Sequence, residues 1–143
     1  MIQTIVHIIA YDIWFYISHL LLHTPSMYWI HSIHHEKRHP TFVDTYYGHS
    51  FEGIFQSIGF LLPFALKMTD PSDAVIALIL VNMKGMMRHD KRTAHLIDNN
   101  HHLLHHLDST ANFGEPWLDM MFGTYRPWPK APITQSRPSL QLQ

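Results

Sequence analysis

Fourteen histidines stand in a chain of 143 residues that carries only ten lysines and arginines and eleven aspartates and glutamates. Most of them fall in three clusters. His19 and His23 in HLLLH are four apart; His31, His34 and His35 in HSIHH occupy i, i+3 and i+4; His102, His105 and His106 in HHLLHH repeat that spacing, with His101 just ahead. Residues three and four apart share one face of a helix. Each cluster can therefore aim two or three imidazoles at one point without bending the backbone. One such pair alone would be an ordinary surface or capping feature; three in one short chain predict a metal site.

The ligand count restricts the metal. A catalytic zinc takes about three protein ligands and a structural zinc about four, so eight imidazoles suit two ions of higher coordination. Imidazole accepts iron, zinc, copper and nickel alike, and residue types reach a binuclear imidazole site with the element left open. The chain has no cysteine, which excludes disulfide staples, thiolate zinc fingers and iron–sulfur clusters. A zinc hydrolase is not expected, because that many imidazoles exceed what one catalytic zinc takes. A net charge of −1 gives no basic field, and nucleic-acid binding is not expected.

Three apolar stretches must position the clusters. The first, Ile2 to Leu22, is interrupted by His7, Asp12 and His19; as a helix it reaches about 31 Å, enough to cross a bilayer's hydrocarbon core. Its lack of a basic leader and of a small-residue cleavage site argues against a signal peptide. The second runs from Phe51 to Met68, with a kink expected at Pro63, and the third from Ala74 to Met87. Thr69-Asp70-Pro71-Ser72-Asp73 between them is a turn and helix-start signal. The expected fold is all-α: a membrane-associated helical bundle with a helical hairpin dipping into or across the bilayer. Lys37 and Arg38, and Lys84, Arg88, Lys91 and Arg92, flank the hairpin's bases, so the positive-inside rule predicts the histidine-lined site in the cytosol. One domain over residues 1–126 and a polar, Pro-rich tail over 127–143 complete the organisation.

The ordered pattern HxxxH, HxxHH, HxxHH resembles the fatty acid hydroxylase superfamily, which includes sterol desaturases, sterol C4-methyl oxidases and fatty acid 2-hydroxylases. The likeness runs from about Asp12 to Arg126. Asp12-x-x-Phe15-Tyr16-x-x-His19 resembles the lead-in to the family's first box, and His49-Ser50-Phe51-Glu52 its HPxE element with serine in place of proline. Asn112-Phe113-Gly114 and Phe122-Gly123-Thr124-Tyr125 resemble its closing segment. Leu20 stands where an arginine often follows the first box histidine. The resemblance implies a membrane-bound di-iron oxygenase that hydroxylates or desaturates a sterol or fatty acyl lipid. It further implies O2 as co-substrate and electrons from a donor such as cytochrome b5 fed by an NAD(P)H reductase, in the endoplasmic reticulum membrane of a eukaryote.

The eight cluster histidines are the expected ligands, and the resemblance adds His49 and His89. His101 is expected either to ligate or to orient His105, because ligating imidazoles donate their second N–H to a partner. Asp12, Asp44, Glu52 and Asp108 are expected carboxylates of that supporting kind, Glu52 with the family match, while Asn112 and Asp119 are expected to close the cage. His7, His39 and His95 are expected to lie outside it. The family usually carries a further pair of membrane helices upstream, so the chain is expected to be a minimal form, a fragment, or a subunit completed by a partner. The competing expectation is a metal-binding homologue without turnover.

Overall fold

The computed structural model describes residues 2–129. Among them are α1 (Ile2–Leu22), α2 (Tyr28–His35), a 3-10 turn (Phe42–Tyr46), α3 (Ser50–Ala65), α4 (Pro71–His89), α5 (Ala94–Ile97), α6 (His101–Leu107) and α7 (Pro116–Phe122), with no strand. The fold is all-helical, as expected from the sequence. Residues 130–143, most of the expected polar tail, lie outside the described residues.

α1 has no helix breaker before Pro25, and its two faces differ sharply. Ile5, Ile9, Ile13, Ile17 and Leu21 recur at fours and are 41–53% exposed, whereas His7, Phe15, Ser18, His19 and Leu22 are buried. The buried face packs into the hairpin of α3 and α4. It runs antiparallel to α3: His7 stacks on Phe60 at 4.9 Å and Trp14 Nε1 donates to the Phe55 carbonyl at 2.7 Å. It runs parallel to α4, where Thr4 donates to Asp73 near the hairpin tip and Lys84 reaches Asp12 at 2.9 Å further down. His7 is consumed in this packing. Its Nδ1 donates to the Phe60 carbonyl at 3.1 Å, and Thr69 Oγ1 donates to its Nε2 at 2.6 Å. It pins the tip of the hairpin to α1.

The outer surfaces of these helices are apolar: Ile54 on α3 and Val75 and Ile79 on α4 are more than half exposed. By length and composition, α1 is the one helix among the described residues able to cross a membrane. α3, with 16 residues, extends about 24 Å, short of a hydrocarbon core of about 30 Å. Of the two expectations for the hairpin, dipping into the bilayer fits its length better than crossing it.

Close approach of α1 and α3 depends on Gly59, where an added Cβ would sit 2.3 Å from Trp14 Cβ. Gly59→Ala should therefore destabilise the protein by about 1–3 kcal/mol, the usual penalty of overpacking. Gly53→Ala in the same helix meets nothing within 4 Å and should leave the melting temperature level or slightly raised. Thermal unfolding of the two variants in detergent tests the pair; equal melting temperatures would contradict the packing described.

Candidate metal centre

Four helices bring their histidines to the base of the hairpin. One imidazole nitrogen from each of His19, His23, His31, His35 and His105 lies within 4.8 Å of the others, and the same holds for His34, His89, His102 and His106. The division follows from helical geometry. Residues four apart on a helix differ by about 40° in direction, and residues three apart by about 60° the other way. On α2, His31 and His35 therefore turn together to the first group while His34 turns to the second. On α6 the roles reverse: His102 and His106 join the second group and His105 the first. α1 adds His19 and His23 to one side, and the last residue of α4, His89, completes the other.

Proton placement decides what these rings can bind. His34 donates Nδ1–H to the Tyr47 carbonyl at 2.8 Å, His89 to the Gly85 carbonyl at 2.7 Å, and His105 to the Ala111 carbonyl at 2.7 Å. His19 does the same to the Phe113 carbonyl, and His31 Nδ1 lies 2.9 Å from Glu52 Oε1. A carbonyl only accepts, so the Nδ1 atoms of His19, His34, His89 and His105 carry the protons and their Nε2 lone pairs face inward. Yet His34 and His89 bring their Nε2 atoms to 3.2 Å. Two facing lone pairs at that distance repel unless a cation sits between them. In the second group His106 is buried with neither ring nitrogen bonded among the described residues.

The spacing also bears on ion binding. Nitrogens about 2.1 Å from an ion stand about 3.0 Å apart at right angles and about 3.4 Å apart on a tetrahedron. The closest Nε2 pairs lie 2.8–3.2 Å apart. Each group therefore holds nitrogens close enough to share one ion. Burial and neighbouring rings push His23 down to about 3 and His35 to about 2; burial alone takes His31 to about 4. Burial, then adjacent rings, holds His102, His105 and His106 well below the ordinary histidine value. At neutral pH these rings are uncharged, the form that binds metal.

Nine of the ten sequence-derived ligand positions converge. His49 does not: it stands outside both groups, caps α3 by accepting from the Phe51 amide at 3.1 Å, and packs edge-on against Trp29. His101 neither joins the groups nor orients His105; it lies 2.9 Å from Asp119 Oδ2. Glu52 Oε1 lies 2.9 Å from His31 Nδ1. Asp12 instead meets Lys84, Asp44 caps the 3-10 turn through Thr41, and Asp108 pairs with Arg126. His39 and His95 are exposed.

Sequence reasoning did not find Glu115. It takes Lys84 at 3.0 Å and Arg88 at 2.9 Å, and Arg88 lies over the Phe15 ring at 4.6 Å. This network joins α1, α4 and the start of α7 behind the imidazoles. The visible signal was Lys84 itself, a charge in an apolar helix that needs a partner. The carbonyls of Ala111 and Phe113 were hidden as well, since a backbone acceptor has no side-chain signature.

Asn112 and Asp119 hold those carbonyls in place. Asp119 is fully buried and accepts from the Phe113 and Gly114 amides, both at 2.9 Å, and from Thr124 Oγ1 at 2.6 Å. Asn112, at φ +63°, donates to the carbonyls of His101 and Arg126. Asp119→Ala should loosen residues 111–114, untether His19 and His105, and weaken metal binding about 10–100-fold, as loss of ligand-orienting partners does. Competition with a chelator of known affinity measures this; unchanged metal retention would rule out the tether.

The fatty acid hydroxylase family matches residues 4–124, nearly all of the region just described. The chain belongs to that family. Among similar curated proteins is methylsterol monooxygenase 1 of Rattus norvegicus, 30% identical over 129 residues, covering 79% of this chain and 43% of that protein. Another is a Delta(7)-sterol 5(6)-desaturase of Gibberella zeae, 29% identical over 135 residues, covering 87% of this chain and 42% of that protein. The chain thus spans less than half the length of these relatives. No solved structure matches it significantly. By name, one of these relatives is a sterol monooxygenase and the other a sterol desaturase.

Beside the imidazoles the protein encloses a cavity of about 370 Å³ between α1, α3 and α4, bounded on one side by residues 45–50. His19, His31, His34, His89 and His102 border its inner end. Tyr46, Tyr47, Ser50, Gly53, Ser57 and Leu78 line the cavity and are themselves exposed, so it is open to the surface.

Proposed function

We propose that the chain provides the di-iron centre of a membrane-bound oxygenase that hydroxylates or desaturates a lipid, using O2 and electrons from an external donor of the cytochrome b5 type. The observation that carries this is the convergence of imidazole nitrogens in groups of five and four. His19, His23, His31, His35 and His105 would hold one ion and His34, His89, His102 and His106 the other. Bound iron with O2 supplies an oxidant strong enough for an unactivated C–H bond, chemistry that no side chain provides alone.

The protein's own contribution is placement. Glu52 and the carbonyls of Phe113, Ala111, Tyr47 and Gly85 fix the rings. Phe15 and Tyr11 line the adjoining cavity with aromatic surface and keep bulk water from the reacting carbon. The exposed lining residues Gly53 and Ser57 on α3 and Leu78 on α4 would give a hydrocarbon a lateral route from the bilayer. Lys37, Arg38, Lys91 and Arg92 at the histidine end favour a cytosolic orientation, where a soluble reductase domain can reach the site.

Iron analysis and oxygen uptake on purified protein test this reading. Two irons per chain and uptake that depends on lipid and reductant are expected. Fewer than two metals with no lipid-dependent uptake would overturn it in favour of a metal-binding protein without turnover.

A further inference from the structure

The nine converging rings fall into two sets by what they face. His19, His31, His34, His89 and His102 border the cavity, whereas His23, His35, His105 and His106 do not. Burial adds a second division. Seven of the nine rings are buried, and only His23 and His35, neither of which borders the cavity, keep part of their surface exposed. All four rings of the second group are closed off, while the first group meets solvent through the edges of two of its own members.

Tyr28 lies at those edges. Its ring centroid is 5.6 Å from that of His23 and 6.5 Å from that of His35, and the residue is 37% exposed. The contact follows from the sequence. Tyr28, His31 and His35 stand at i, i+3 and i+7, one face of α2, and the corner between α1 and α2 brings His23 against the start of that face. Hydrogen bonds hold the corner: Thr24 Oγ1 donates to the Leu21 carbonyl at 2.6 Å, and the Thr24 carbonyl accepts from the Met27 and Tyr28 amides at 3.0 and 2.9 Å. Pro25 and Ser26 at its tip are exposed. From His23 to His35 the chain carries no lysine, arginine, aspartate or glutamate. The way inward is short, because His23 and His35 each bring Nε2 to 3.1 Å from His105 Nε2 inside the first group.

We infer that electrons enter the centre through this corner, by rings that do not border the lipid cavity. The patch made by Pro25, Ser26, Tyr28 and the edges of His23 and His35 receives a one-electron carrier protein whose prosthetic group reaches its own surface. The inference rests on the di-iron oxygenase reading and gives its electron donor a face. Each encounter oxidises the carrier by one electron and reduces one ferric ion to ferrous; no atom is transferred, and two encounters supply the two electrons that both ions need. Electron transfer weakens steeply with distance, so the exposed edges of ligand rings are the shortest way in. An uncharged patch suits the task, because the carrier approaches closely without stripping water from a charge. Redox encounters bury less than about 1,200 Å², so a compact corner is enough. A carrier docked over the cavity would compete with the lipid for one opening; at the corner, both bind at once.

The chain has no cysteine, so a single introduced one carries a label at one place. Ser26→Cys puts it on the corner and Ser50→Cys on the exposed rim of the cavity. With a photo-crosslinker on each, the metal-free full chain in lipid nanodiscs is mixed with the soluble haem domain of a cytochrome b5. Cross-linking from position 26 should exceed that from position 50 by about fivefold or more, and Tyr28→Ala should weaken carrier binding about fivefold to tenfold, the cost of truncating an interfacial aromatic. With a ruthenium photoreductant on the same cysteines, flash reduction of the iron-loaded chain should be about tenfold faster from position 26 than from position 50. Tyr28→Ala should slow the reduction from position 26, and Tyr28→Phe should restore it. Equal or greater cross-linking or reduction from position 50, no cross-linking from either position, or a rate from position 26 untouched by Tyr28→Ala would each overturn the inference. Iron content and oxygen uptake of the same samples report on the parent reading, so cross-linking confined to position 26 supports the face even in protein that does not turn over.

Discussion

If the chain holds two irons as proposed, His105→Ala should retain about one and should lose lipid oxidation by more than about a hundredfold. His105 is fully buried, and its Nε2 lies 3.1 Å from the Nε2 atoms of both His23 and His35. It is also the single ring that α6 contributes to the five-membered group, so its removal cuts the tie between α6 and the ion held by α1 and α2. The four-membered group keeps all its members. Metal-to-protein ratio and turnover measure the effect, with exposed His95→Ala as the comparison expected to match the parent. Two irons and full turnover in His105→Ala would remove the imidazole groups from the chemistry altogether. A loss of metal from both sites would instead mean that the two groups stand or fall together, as their shared helices α2 and α6 allow.

The clusters were legible because helical periodicity is local: spacings of three and four announce a common face without any knowledge of the fold. How each cluster divides was not. His34 leaves its neighbours for the other group, and nothing in HSIHH says where the second ion stands. His89 is a lone histidine at the end of α4; only the return of the hairpin to its base brings it to His34 and His102, and the expectation for it came from family resemblance. The same resemblance marked His49, which the structure uses as a helix cap. A histidine in the first turn of a helix looks alike in sequence whether its ring bonds its own backbone or a metal.

Asp12 illustrates the same difficulty with carboxylates. It stands seven residues before His19, nearly the same face of α1 two turns away, so a supporting role for it was a reasonable expectation. The structure gives it to Lys84, a residue 72 positions along the chain. Long-range charge pairing of this kind leaves one local trace, a charge inside an apolar helix, and that trace names no partner. Asn112 and Asp119 were easier, because the motifs around them sit close in sequence and fold onto one another through the Asn112 amide and the Thr124 carbonyl at 2.9 Å.

Acid should unfold the metal-free protein well before it harms the loaded one. His23, His31 and His35 are held at about 3, 4 and 2 in the folded chain, chiefly by burial, against about 6.5 in an unfolded one. Between about pH 6 and pH 4 the unfolded chain therefore binds protons at these three positions that the folded chain refuses. Stability rises with pH wherever the unfolded state holds more protons, so what these rings permit above the unfolded value is lost as pH falls toward the folded values. Each contributes a slope of about 1.4 kcal/mol per pH unit, and three together about 4 kcal/mol per pH unit, so a single unit removes a large share of the 5–15 kcal/mol of a typical domain. Bound metal occupies the Nε2 lone pairs and must be displaced before they protonate, which moves the collapse to lower pH. The measurement is the melting temperature of metal-free and iron-loaded protein at pH 7.5 and pH 5. A steep fall confined to the metal-free form is expected. A metal-free protein equally stable at both values would mean that the rings are open to water rather than packed against one another, and the cage would then have to be assembled by the metal instead of waiting for it.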